Sequence, residues 1–136
     1  MRQQAWDEVK IALRDYPHYD RYINEIRQKH IYPYIPTDSN IGGSRGSRDI
    51  SGLDGTVVSI ADDMMLNRII FQKKMINDRL SRSESWVRQL IALMYFGDSN
   101  VRLSTASELV GRDRRTGKKY HNEFMEGLAK DLGVIR

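Results

Sequence analysis

The sequence predicts an all-α fold on three observations. Apolar residues recur at three- and four-residue intervals wherever the 136-residue chain shows a pattern, and that spacing places them on one face of a helix. No alternation of apolar and polar residues lasts long enough to mark a strand, and no repeat of fixed period is visible. The residues that interrupt the pattern, Pro17, Gly97 and Gly111 among them, fall between the periodic stretches.

The first helix is expected over residues 4–15, with Trp6, Val9, Ala12 and Leu13 as its apolar face. Pro17 suits the first turn of the next, where Tyr19, Tyr22, Ile23 and Ile26 form a second stripe, so residues 1–30 read as a short helical pair. From residue 31 to 55 the periodicity stops. Tyr32-Pro33-Tyr34-Ile35-Pro36 favours extended backbone, and the stretch from Asn40 to Arg48 has the glycine, serine and arginine content of a linker.

Helix resumes near Thr56 and runs to about Leu80 along Val57, Ile60, Ala61, Met64, Ile69, Met75, Ile76 and Leu80, longer than most globular helices. Ser81 and Glu84 have capping-box spacing ahead of Trp86, Val87, Leu90, Ile91, Met94 and Tyr95, an amphipathic helix that Gly97 can end. A short helix then carries Leu103, Ala106, Leu109 and Val110 up to Gly111. Asp113 has the chemistry to cap a last helix, whose buried stripe is Tyr120, Phe124 and Leu128. Residues 56–136 thus read as one helical domain with a helix-turn-helix at about 101–126.

Composition narrows the function classes. Cysteine is absent, which excludes disulfides and thiolate metal sites, and His18, His30 and His121 are too far apart in sequence for a local zinc motif. No apolar run approaches the roughly 20 residues that span a bilayer, and the N-terminus lacks the apolar segment of a signal peptide, so a cytoplasmic protein without a membrane partner is expected. No nucleophile, base and orienting partner fall into a recognisable arrangement, and neither a cofactor nor a metal is expected. The Asn40 to Arg48 stretch lacks the Lys-Ser/Thr ending of a phosphate-binding loop.

The net charge is +4, and the excess is focal: between Arg112 and Lys119 five basic residues meet one acid, Asp113. With Asp113 as cap, Arg114, Arg115, Lys118 and Lys119 project from the first two helical turns, within reach of phosphates and base edges, while Thr116 can meet a thymine methyl or a phosphate. Arg112 and His121 complete the candidate double-stranded-DNA-binding set, and Arg45 and Arg48 are candidates for an arm along the DNA backbone. The bland alternative is a solvated helix face. Arg112 stands where such turns usually place an apolar residue, and Gly117 costs about 1 kcal/mol against alanine inside a helix. Two readings of that glycine are open, a pliable helix and a close approach to the DNA backbone.

Tyr32-Pro33-Tyr34, then Thr37-Asp38-Ser39-Asn40-Ile41-Gly42-Gly43 with Arg45 following, a long helix, and a C-terminal Arg-Arg-Thr helix reaching Tyr120-His121-Asn122-Glu123-Phe124 together form a pattern. It resembles the RinA-like and ArpU-like late transcriptional activators of bacteriophages that infect Gram-positive bacteria. The resemblance implies a promoter-binding protein that switches on late genes, with a C-terminal module similar to region 4 of bacterial sigma factors. By position it implies that Arg114, Arg115, Thr116, Lys118 and Lys119 read DNA.

Two other functions compete. A phage packaging subunit of the small-terminase kind would use the same module to recognise viral DNA and its long helices to build a ring. A bridging protein would contact host RNA polymerase through the N-terminal helices and hold DNA weakly. Met64, Met65, Leu66, Ile69 and Ile70 leave apolar residues on more than one side of the long helix, which fits a homodimer and burial within one chain equally well.

Overall fold

The computed structural model describes the backbone of residues 1–31, 45–97 and 100–135, and the side chains of residues 1–29, 60–97 and 100–135. Among these the regular structure is entirely helical: α1 (Gln3–Asp15), a 3₁₀ turn (Tyr16–His18), α2 (Tyr19–Ile31), α3 (Arg45–Arg82), α4 (Ser85–Ile91) continued by a π-helical stretch (Ala92–Phe96), α5 (Leu103–Leu109) and α6 (Arg114–Asp131). The all-α expectation holds. The Tyr-Pro-Tyr and Asn-Ile-Gly-Gly elements lie outside the described residues.

Two compact units divide the chain, Met1–His18 with Gln72–Arg136, and Tyr19–Phe71. In the second unit α2 buries Tyr19, Ile23 and Ile26, as its spacing predicts. Helix α3 begins at Arg45 rather than near Thr56, so the last part of the expected linker is helical. The reason is legible afterwards: Ile50, Leu53 and Val57 keep helical spacing through a composition whose glycines suggested a loop.

The first unit holds the larger core. Val9 and Leu13 of α1, Ile76 of α3, Leu90 and Ile91 of α4, and Met125 and Leu128 of α6 are fully buried. Helix α1 packs on α6 and on the π-helical stretch, and α4 packs on α6. Arg79 clamps the C-terminal ends of α3 and α6 together: its Nε donates to Asp131 at 2.8 Å and its Nη2 to the Gly127 carbonyl at 3.2 Å. Arg82 adds a longer ion pair to the same Asp131 oxygen at 3.7 Å. The Tyr16 hydroxyl donates to Asn77 Oδ1.

The capping box expected from Ser81 and Glu84 does not form. Because α3 runs on through Arg82, Ser81 sits in its last turn and its hydroxyl donates to the Asp78 carbonyl. Glu84 is itself the N-cap of α4, and its carboxylate accepts the Trp86 indole N–H at 2.6 Å. Arg88 closes the junction by donating to the Ser83 carbonyl at 2.7 Å. Gly97 ends the following stretch in extended backbone.

Candidate nucleic-acid interface

Helices α5 and α6 meet through a turn whose sequence dictates its shape. Gly111 adopts a φ of +77°, a left-handed conformation that glycine reaches without steric cost. Its N–H donates to the Glu108 carbonyl at 3.0 Å and the Arg112 N–H to the Ser107 carbonyl at 2.9 Å, the paired bonds of a Schellman ending. Asp113 then starts α6 from extended backbone, and its Oδ1 accepts the Thr116 N–H at 3.0 Å. Hydrogen bonds from Thr116, side chain first and backbone second, hold the Asp113 carboxyl below its ordinary range. An anion at the positive end of a helix is favoured by the helix dipole as well.

The crossing of α5 on α6 is set by Gly117 and Ser107, both buried. A Cβ at Gly117 would overlap Ser107 Oγ and lie 2.9 Å from Ser107 Cβ. Glycine is there because α5 occupies the space a side chain would need. Of the two readings left open by the sequence, close approach to DNA is therefore corrected: Gly117 faces α5, not solvent. Ser107 avoids an unpaired buried hydroxyl by donating back to the Leu103 carbonyl at 2.7 Å.

With Gly117, His121, Phe124, Met125, Leu128 and Ala129 turned inward, the outer face of the first turns of α6 is left to its cations. Arg114, Arg115, Lys118 and Lys119 line one open concavity together with Asn122. The four cations are exposed, and none of the ion pairs formed among the described residues engages them. Asn122 was not among the sequence candidates, although Arg114, Lys118 and Asn122 follow one another at four-residue spacing, which was the available signal.

Three other candidates are placed differently. Thr116 is half-buried and serves the Asp113 cap. Arg112 is exposed, but its guanidinium lies over the Trp86 ring at 4.9 Å, and Trp86 in turn meets Tyr120 edge-on at 4.9 Å. Arg112 thus fills the apolar position of the turn by covering an indole with its planar cation, and it is not among the residues that line the concavity.

The expectation that His121 lies on the exposed face is corrected, because it is buried at 6% exposure. Its ring stacks between Trp6 and Tyr95 at centroid distances of 6.1 and 5.9 Å. The Tyr95 hydroxyl is 2.7 Å from Nε2, and Nδ1 is 3.1 Å from Asn122 Oδ1. The neutral tautomer with its proton on Nδ1 satisfies both contacts, Nδ1 donating to Asn122 and Nε2 accepting from tyrosine. Burial pulls the His121 pKa down, the Asn122 hydrogen bond opposes the shift and Lys10 adds to it. Burial also pushes the Tyr95 pKa up to about 12.

The side chains of Arg45 and Arg48 lie outside the described residues. Among the described residues no group of three or more acidic or histidine side chains is placed to hold a metal ion, and no helix is long and apolar enough to cross a membrane.

The chain is 26% identical over 126 residues to the transcriptional activator RinA of Staphylococcus phage phi11, covering 93% of this chain and 89% of that protein. No family model matches, and no solved structure does. The likeness extends over nearly the whole of both proteins and supports placing the chain in a RinA-like family.

Proposed function

We propose that this RinA-like chain is a transcriptional activator that binds promoter DNA through α6, with α5, the turn and α6 acting as a helix-turn-helix. The observation that carries the reading is the cluster of Arg114, Arg115, Lys118 and Lys119 on one exposed face at the start of a capped helix. In a helix-turn-helix the N-terminal part of the second helix is the part that enters the major groove. Asp113 already accepts the Thr116 amide there and sets a negative charge at the helix terminus, so the exposed cationic side chains are the groups that would meet phosphate. Arg114, Arg115, Lys118 and Lys119, which line one concavity, divide between base edges and the phosphate backbone in this reading. The naming of the phage phi11 relative as a transcriptional activator supports the same assignment, and activation of late genes is its finer form.

Footprinting on genomic DNA from the source of this chain, with and without RNA polymerase, tests the proposal. Protection of a segment upstream of a gene, extended or strengthened by polymerase, is expected. Protection confined to a packaging site and indifferent to polymerase would overturn the activator reading in favour of a packaging subunit.

A further inference from the structure

Three of the exposed apolar residues of α3 form a seam, while Met65 and Ile70, 56% and 40% exposed, lie to either side of it. Ile60, Met64 and Phe71 are 56%, 69% and 46% exposed, and with Asn67 they follow one another at intervals of four, three and four residues. That is heptad spacing, with Met64 and Phe71 at a positions and Ile60 and Asn67 at d positions. In sequence, Val57 and Leu53 continue the same spacing. The buried residue of this stretch, Ile69, falls on the opposite face, so the seam is not the side by which α3 joins the core of its own chain. From Ile60 to Phe71 the seam runs for about 18 Å at 1.5 Å per residue.

We propose that this seam pairs with the same seam of a second copy of the chain, as a parallel two-stranded coiled coil. The choice of occupant rests on the flanking charges. Asp63 stands at the g position before Met64, and Arg68 at the e position after Asn67. In a parallel pair a g residue meets the e residue five positions on in the other helix. Asp63 of each copy then meets Arg68 of the other, giving two opposite-charge pairs across the seam. An antiparallel pair sets g against g and e against e, which removes both pairs. Two-fold pairing uses one surface twice and closes on itself, so the assembly stops at two chains. Asn67 is a polar interruption of the seam at a d position, at a cost in stability. The inference stands independently of what α6 binds.

Light scattering over a protein concentration series tests it, with circular dichroism to confirm that each variant keeps its helix content. The wild-type chain is expected to reach twice its mass of 15.8 kDa, and Met64→Asp to stay at the single-chain mass. Asp63→Arg and Arg68→Asp place like charges across the seam, so each alone should stay at the single-chain mass. Mixed in equal amounts, the two should return to the doubled mass, because both cross-pairs are then again of opposite sign. Asn67→Cys in this cysteine-free chain should cross-link to itself on oxidation, since parallel pairing sets equivalent d positions side by side. A wild-type chain that stays at the single-chain mass throughout would overturn the proposal. So would a Met64→Asp variant that still doubles, or a mixture that fails to recover.

Discussion

Replacing Gly117 by alanine pits two effects of known sign against each other. In a helix interior, alanine is more favourable than glycine by about 1 kcal/mol, so an α6 whose Gly117 faced solvent would be stabilised by the change. The structure instead puts the new Cβ onto Ser107 Oγ and 2.9 Å from Ser107 Cβ. The hydroxyl can rotate away, at the loss of its bond to the Leu103 carbonyl, but Ser107 Cβ moves only if α5 moves. Overpacking of this kind costs roughly 1–3 kcal/mol, so the net effect is a loss of up to about 2 kcal/mol. Ser107→Ala removes the overlapping oxygen and leaves the Cβ contact, so in the Gly117→Ala background it should recover part of the loss, with a coupling of about 1 kcal/mol. Urea unfolding followed by tryptophan fluorescence measures this well, because Trp6 and Trp86 both lie in the unit that contains the contact. A Gly117→Ala protein more stable than wild type, with no coupling to Ser107, would refute the close crossing of α5 and α6. It would also reopen the view that the glycine serves DNA.

Two further predictions follow from the same unit. His121 has a folded pKa below its ordinary 6.5, so above about pH 6.5 it adds no pH dependence; as the pH falls below that value the unfolded chain takes up the proton first and stability declines, by up to about 1.4 kcal/mol per pH unit until the folded pKa is reached. Urea titrations between pH 8 and 5 should show this decline in wild type and a shallower one in His121→Gln. Asp131→Ala leaves the partly buried Arg79 without its anion and should lower stability by about 1.5–3 kcal/mol in the same assay, the worth of a hydrogen bond to a charged group; an unchanged midpoint would show that the clamp between α3 and α6 is not formed in solution.

The elements and their order were legible because helical spacing is a local property. Trp6 to Leu13, Trp86 to Tyr95 and Tyr120 to Leu128 each signal their own helix, and Gly111 and Asp113 signal the turn between two of them with the chemistry the structure uses. The start of α3 was missed because Gly46, Gly52 and Gly55 lower helix propensity, and propensity carried the reading there against the spacing of Ile50, Leu53 and Val57. The cation cluster was readable from charge and spacing, whereas the roles of its neighbours depend on contacts distant in sequence. Trp86 claims Arg112, Tyr95 and Trp6 claim His121, and Ser107 explains Gly117. Each of those partners is at least ten positions away along the chain, beyond the reach of any local pattern.

The salt dependence of duplex DNA binding tests the central claim most directly, measured by fluorescence anisotropy for wild type and for a variant with Arg114, Arg115, Lys118 and Lys119 all replaced by glutamine. Each phosphate contact contributes about −0.9 to the slope of log affinity against log salt. The account predicts a steep slope for wild type, shallower in the variant by about 0.9 for every one of these residues that rests on phosphate, with weaker binding at every salt concentration. Equal slopes and equal affinities for the two proteins would contradict it, and α6 would then not be the surface that meets DNA.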